Sequence, residues 1–316
     1  MRLVTVKRHM LRLLSSLAVL LSLGCGSDAL QPEPGVEIAL EQVTVGELVF
    51  DLRTAGPADA PVVILLHGFP QTSHEWRHQL RALGAAGYRA VAPDQRGYSP
   101  GARPADVADY NIVNLIGDVL GIADALGADR FHLVGHDWGA AVSWGVARVA
   151  PDRIISLTPI SIPHPDAFNE ALRDPASCQS SASGYFDTFI LPDSEDIFLA
   201  NDAAFLRAIY AGLPDEAVSV YIEALGTREA LGAGLNWYRA NITDRQFPGP
   251  AVGTIDVPVM FIWSDGDSAV CREPAERTGD FVSGPYRFEV IEGVSHWVPE
   301  LAAERVSELL LEHLAQ

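Results

Sequence analysis

Along the chain, short apolar runs alternate with stretches whose apolar positions recur at helical spacing. Residues 62–66 (VVILL), 89–92, 131–135, 154–160, 257–263 and 287–291 are of the first kind and read as strands. Residues 75–86, 111–126, 138–150 and 300–314 are of the second kind and read as helices with one buried face. Strands alternating with helices predict an α/β fold: a mostly parallel sheet flanked by helices on both faces.

The alternation stops between residues 163 and 250, where helical stretches follow one another without a buried-strand run. A structureless loop of that length is uncommon in a compact domain. The segment is therefore expected to fold as a helical cap inserted after the sixth strand, dividing the core into residues 41–162 and 251–316.

The first 24 residues break the pattern in another way. Arg2, Lys7, Arg8 and Arg12 precede an apolar run over 13–23 that is too short to span a bilayer, which reads as an export signal. The following LSLGCGSDALQPEPG resembles the cleavage box of bacterial lipoproteins, which would make Cys25 the lipidated residue; ordinary secretion is the alternative. The polar, Pro-containing stretch beyond it reads as a tether over residues 25–40.

Charge narrows the partners. The full chain carries −19, and removal of the leader leaves 18 basic against 41 acidic residues, a net charge of −23. Nucleic acid is excluded as an expected partner, and a membrane enters only through the lipid anchor. Every basic residue after Lys7 is arginine, so no lysine remains for Schiff-base chemistry. Metal-ligand residue types show no paired spacing, so no metal and no organic cofactor are expected.

The chemistry is concentrated in FHLVGHDWGAAVSWG, where a buried strand runs straight into a helix. Gly135 and Gly139 frame a sharp turn, as in the GxSxG elbow of serine hydrolases, but the central position is Asp137. A serine alkoxide suits an acyl carbon. A carboxylate can displace at a saturated carbon and leave an alkyl ester on the enzyme. Hydrolysis of that ester then needs a base for water and donors for an oxyanion.

LLHGFPQTSHEWRHQ, DQRGYS, GHDWGAAVSWG, GLNWYRAN and EGVSHW occur in that order. Together they resemble the α/β-hydrolase fold and, within it, the branch of epoxide hydrolases and haloalkane or haloacetate dehalogenases. The resemblance covers nearly everything after residue 40. It implies Asp137 as nucleophile and His296, in SHW after the last strand, as base. For the acid that holds the base, WSDGDS offers Asp265 and Asp267; the family's spacing from the strand's aromatic favours Asp267. The backbone N–H groups of Phe69, in HGFP, and Trp138 are the implied oxyanion donors. His67 and His136 read as structural neighbours of tight turns, and His164 has no assigned role.

An opening epoxide develops an alkoxide and needs an acid, whereas a departing halide needs donors but no proton. Tyr185 and Tyr238 fall in the cap segments where the resemblance places the tyrosine pair of epoxide hydrolases; Pro192 follows Tyr185 at the family's spacing. Tyr210 and Tyr221 have helical spacing and read as cap packing. The expected function is hydrolysis of a small-molecule epoxide to a vicinal diol. One alternative is a dehalogenase using the same Asp137, Asp267 and His296; another is a lipid-anchored protein that binds a ligand on this fold without turnover. Of the cysteines, Cys178 and Cys271 remain after Cys25. The preferred reading is two separate buried thiols, and a bridge between cap and core is the alternative.

Overall fold

The computed structural model describes residues 36–247 and 251–316. The leader, Cys25 and most of the tether lie outside the described residues. One sheet of eight strands organises the rest: β1 (Ala39–Val45), β2 (Leu48–Ala55), β3 (Val62–Leu66), β4 (Arg89–Pro93), β5 (Phe131–His136), β6 (Ile154–Ile160), β7 (Val259–Ser264) and β8 (Tyr286–Ile291). Their spatial order is β1-β2-β4-β3-β5-β6-β7-β8. β2 is antiparallel to β1 and β4, and every other pairing is parallel.

Six of these strands are the apolar runs of the sequence. β1 and β2 were not among them, for a physical reason. β1 is an edge strand with most of its residues exposed, so it lacks the continuous apolar run of a strand buried on both faces. The tether expected to reach residue 40 gives way at Ala39, where β1 starts.

The framework helices are α1 (Arg77–Ala85), α2 (Ile112–Ala125) and α3 (Trp138–Val149). Asn111 caps α2 by accepting the N–H groups of Val113 and Asn114. Among the described residues, six helices and no strand of the sheet come between β6 and β7: α4 (Pro165–Arg173), α5 (Cys178–Ala182), α6 (Phe186–Phe189), α7 (Ser194–Ile209), α8 (Asp215–Leu225) and α9 (Arg228–Asn241). The chain closes with α10 (Arg272–Arg277), α11 (Val298–Leu301) and α12 (Ala303–Leu314). The helix expected over 300–314 is thus two helices, divided at Ala302, whose φ of −119° and ψ of 36° are not helical.

Alternate residues of the central strands face opposite layers. Ile64 and Leu66 of β3 and Leu133 of β5 join a cluster with Val119 and Val142 from α2 and α3. Val63, Leu65 and Val134 join another with Leu80, Leu309 and Leu310 from α1 and α12. The first cluster continues without a break into Phe168, Phe186, Phe198 and Trp237 of the helical insertion. The insertion therefore shares its apolar packing with one face of the sheet.

The preferred reading of two separate buried thiols is corrected. Cys178 and Cys271 form a disulfide, with Cα atoms 6.3 Å apart across a separation of 93 residues. Cys178 is exposed and Cys271 half-buried. What brings them together is Gln179, a fully buried side chain. Its amide donates to the Ala269 carbonyl and accepts the Cys271 N–H, pinning α5 to the loop after β7. On the chain-entropy account, closing a loop of that length contributes roughly 4–5 kcal/mol by restricting the unfolded chain.

Candidate active site

β3, β5, β7 and β8 run in parallel, and the loops at their carboxyl ends carry HGFP, Asp137, Asp267 and His296. Ligands in open parallel sheets bind at this edge. Asp137 sits between β5 and α3 with φ of 50°, a left-handed conformation that is strained for a residue with a Cβ. Its neighbours must be glycine. A Cβ on Gly135 would lie 2.2 Å from the Gly139 carbonyl oxygen, and one on Gly139 would lie 2.1 Å from that of Leu66. A Cβ on Gly68 would run into the Asp137 side chain at 2.3 Å.

The two carboxylate oxygens of Asp137 have different partners. Oδ1 accepts the Phe69 N–H at 2.9 Å. Oδ2 lies 3.5 Å from Nε2 of His296, which is longer than a good hydrogen bond. The Trp138 N–H opens α3, and Asp137 makes no side-chain cap bond to that helix.

On its other side, the His296 ring meets Asp267, with Nδ1 and Oδ2 2.8 Å apart. Asp267 Oδ2 also accepts from the Ser161 hydroxyl at 2.7 Å, and Oδ1 accepts the N–H groups of Ala269 and Val270. Burial opposes its charge, but the His296 ring and these donors outweigh burial and hold the carboxyl below its ordinary value. Asp265 is exposed, and its Oδ1 accepts the Gly293 N–H of a neighbouring turn.

The His296 ring is pulled both ways. Burial disfavours its cation, but Asp267 and Asp137 together hold it well above its usual value. By linkage, this group stabilises the fold in full below about pH 6.5, and the contribution is lost as pH rises through the raised folded value.

Asp137, Tyr185 and Tyr238 line one small cavity whose other walls are mostly aromatic. The two tyrosine rings are 6.4 Å apart, centroid to centroid. Burial and the charge of Asp137 raise both hydroxyls well above the ordinary phenol value, so they stay protonated at neutral pH. Among the described residues, neither hydroxyl has a hydrogen bond to a protein oxygen. Other tyrosines of the insertion differ in this respect: Tyr210 donates to the Pro70 carbonyl at 2.6 Å, and Tyr221 to Glu300 at 2.6 Å.

His67, His164 and His136 hold structure. His67 is fixed by Gly68 and Gln95. His164 caps α4, accepts the Asp166 N–H and stacks on Phe281; burial lowers it to about 4. His136 has a larger part than its place beside the elbow suggested. Its Nε2 contacts the His296 carbonyl at 2.9 Å and its Nδ1 contacts Glu75 at 3.0 Å, with the His136 and Glu75 side chains shielded from water. Burial pushes the Glu75 carboxyl up.

Ser161 and Glu75 were missed from the sequence. Glu75 carried a signal, a carboxylate within HGFPQTSHEW, but its partner is 61 positions away. Ser161 carried none; φ of 70° just past β6 is what turns its hydroxyl towards Asp267.

A family model described as the alpha/beta hydrolase fold matches residues 61–303, and the chain belongs to that family. Within it, relatives that cover most of this chain are named epoxide hydrolases. Epoxide hydrolase A of Mycobacterium tuberculosis is 34% identical over 299 residues, covering 82% of this chain and 92% of that protein. Epoxide hydrolase 4 of Mus musculus is 33% identical, covering 83% of this chain and 75% of that protein. The crystal structure of epoxide hydrolase A from Mycobacterium thermoresistibile superposes with a TM-score of 0.75 at 29% identity, covering 88% of this chain and 98% of that one.

Proposed function

We infer that the chain hydrolyses small epoxides to vicinal diols through an ester on Asp137. The observation that carries this reading is the pair of protonated Tyr185 and Tyr238 hydroxyls, without protein acceptors, on the same cavity as the carboxylate. Asp137 Oδ1 is held by the Phe69 N–H, so Oδ2 attacks the ring carbon; that C–O bond forms as the ring C–O bond breaks. The ring oxygen takes a proton from a tyrosine.

Esterification removes the negative charge beside Nε2, one of the causes that keep the His296 ring cationic. The ring gives up its proton, the tyrosine is restored, and neutral His296 takes a proton from water. Water adds to Cγ of the ester, and Oδ1 becomes the oxyanion facing the Phe69 N–H, with Trp138 as second donor. Collapse breaks the Cγ–Oδ2 bond, releases the diol with a proton, and returns the aspartate carboxylate beside a histidine cation. Asp267, fixed by Ser161, holds the ring's orientation throughout.

A side-by-side assay tests the reading. Styrene-type epoxides should give diols, and haloacetate should release no halide. Halide release without diol formation would move the chain to the dehalogenase alternative, and turnover of neither would favour a binding protein.

Export is supported by the disulfide, since bridges of this kind persist in oxidising compartments. With a lipid on Cys25, Cys25→Ser moves the protein from the membrane fraction to the soluble fraction. Wild-type protein that is already soluble would replace anchoring with simple secretion.

A further inference from the structure

Three loops build the site: the one carrying Phe69 after β3, the elbow carrying Asp137 after β5, and the one carrying His296 after β8. Behind them, each contributes one member of a second, buried chain that no step of the reaction uses. Glu75 stands in the turn Ser73–Trp76 beyond HGFP, and His136 ends β5 immediately before Asp137. The third member is the His296 carbonyl.

The pairing fixes where the protons lie. A carbonyl only accepts, so the His136 Nε2 that faces it at 2.9 Å carries a hydrogen. On the other side of the ring, Nδ1 lies 3.0 Å from Glu75 Oε1, close in distance though bent in angle, and Oε2 has no partner among the described residues. Both side chains are fully buried, where an unpaired charge is costly. One proton shared between the carboxyl and Nδ1 removes that cost, as carboxylate with imidazolium or as acid with imidazole. In either form the ring presents an N–H to His296.

That bond acts on the base. The His296 carbonyl also accepts the Val298 N–H at 2.8 Å, so its peptide is held by its own turn on one side and by His136 on the other. The His136 and His296 rings pack 4.9 Å apart, centroid to centroid. Because His136 adjoins Asp137, the bond also ties the base loop to the elbow, across which Nε2 of His296 and Oδ2 of Asp137 stand 3.5 Å apart. Attack on the ring carbon needs Asp137 and the tyrosines. Attack by water on the ester needs Nε2 of His296 held at a fixed distance from Cγ, and a displacement of about 1 Å there can cost roughly a hundredfold.

We propose that Glu75 is a positioning residue for the hydrolytic step: through His136 it fixes the backbone of His296, and so the place of the water-activating ring beside the Asp137 ester. This rests on the two-step route above, and the closing experiment separates the two.

Single-turnover mixing with styrene oxide follows the Asp137 adduct by mass as it forms and decays in wild type, Glu75→Met and Glu75→Gln. Methionine leaves Nδ1 without a partner, whereas glutamine keeps the shape and can turn an amide N–H towards it. Glu75→Met should form the adduct at the wild-type rate and hydrolyse it roughly 10- to 100-fold more slowly. In steady state kcat and KM should fall together while kcat/KM holds, because the slowed step follows the ester. Glu75→Gln should restore decay to within a few-fold of wild type. In the wild type, the nitrogen spectrum of His136 should show the hydrogen on Nε2, a reading that needs no variant to fold.

Adduct decay at the wild-type rate in Glu75→Met, equal loss in both steps, decay in Glu75→Gln as slow as in Glu75→Met, or an Nε2 without hydrogen overturns the proposal. Diol made by the wild type with no adduct on Asp137 overturns the covalent route itself, and that outcome is read before any variant is made.

Discussion

His296→Gln should leave the protein able to open an epoxide once and unable to finish. On the proposed route the base is needed when water attacks the ester, whereas the first bond is made by Asp137 with the tyrosines. Loss of a positioned base costs about 10²–10⁴ in rate. Here a charged, doubly paired imidazole is replaced by an amide, and the loss falls at or above the upper end. Mixing variant and substrate should add the mass of one epoxide to the peptide containing Asp137, stoichiometrically, while diol formation falls below detection. The wild type provides a complementary sign: a single turnover in heavy-oxygen water should label Asp137 rather than the diol, because water bonds to Cγ. An unmodified peptide in a His296→Gln variant that still binds substrate would mean that water attacks the epoxide directly.

The legible parts of this site are those where local chain geometry dictates the residue. Asp137 was readable because the glycines at 135 and 139 are forced by contacts of 2.2 and 2.1 Å with backbone atoms, so the turn leaves its mark on the sequence whatever stands between them. His296 and Asp267 were readable because both sit a few residues beyond strands β8 and β7, whose apolar runs announce themselves. Choosing Asp267 over Asp265 rested on spacing alone. In the structure the difference is burial: the Asp267 side chain is fully shielded and accepts four donors, while Asp265 is exposed at a turn.

What could not be read depends on where distant segments meet. Glu75 bears on His296 only through His136, and the three come from the loop after β3, the end of β5 and the loop after β8. The disulfide was likewise out of reach, because it depends on where α5 docks: Gln179, next to Cys178, bonds Ala269 and Cys271 in a loop that is distant in sequence. Its position ties the insertion to the catalytic loop: Cys178 lies seven residues before Tyr185, and Cys271 four after Asp267.

Tyr185→Phe together with Tyr238→Phe should abolish ring opening, with each single change leaving part of the activity. An alkoxide leaving group at neutral pH cannot depart unprotonated, and nothing else on the cavity over Asp137 carries an acidic proton. Each donor is worth roughly 10²–10⁴ where it is the only one. With a second hydroxyl on the same oxygen, single losses should be nearer ten- to a hundredfold, and the double loss should exceed their product. The defect should appear as absence of the Asp137 adduct even in a His296→Gln background, which places it before the ester. Stability separates chemistry from packing. Neither hydroxyl donates to a protein oxygen, so the double variant should melt within a few degrees of wild type, whereas Tyr221→Phe, which strips a buried bond from Glu300, should cost about 1–3 kcal/mol and spare the chemistry. Raising the pH should not reproduce the defect, because burial and the Asp137 charge keep both phenols protonated well into the alkaline range. Full epoxide turnover by the double variant would show that the proton comes from elsewhere.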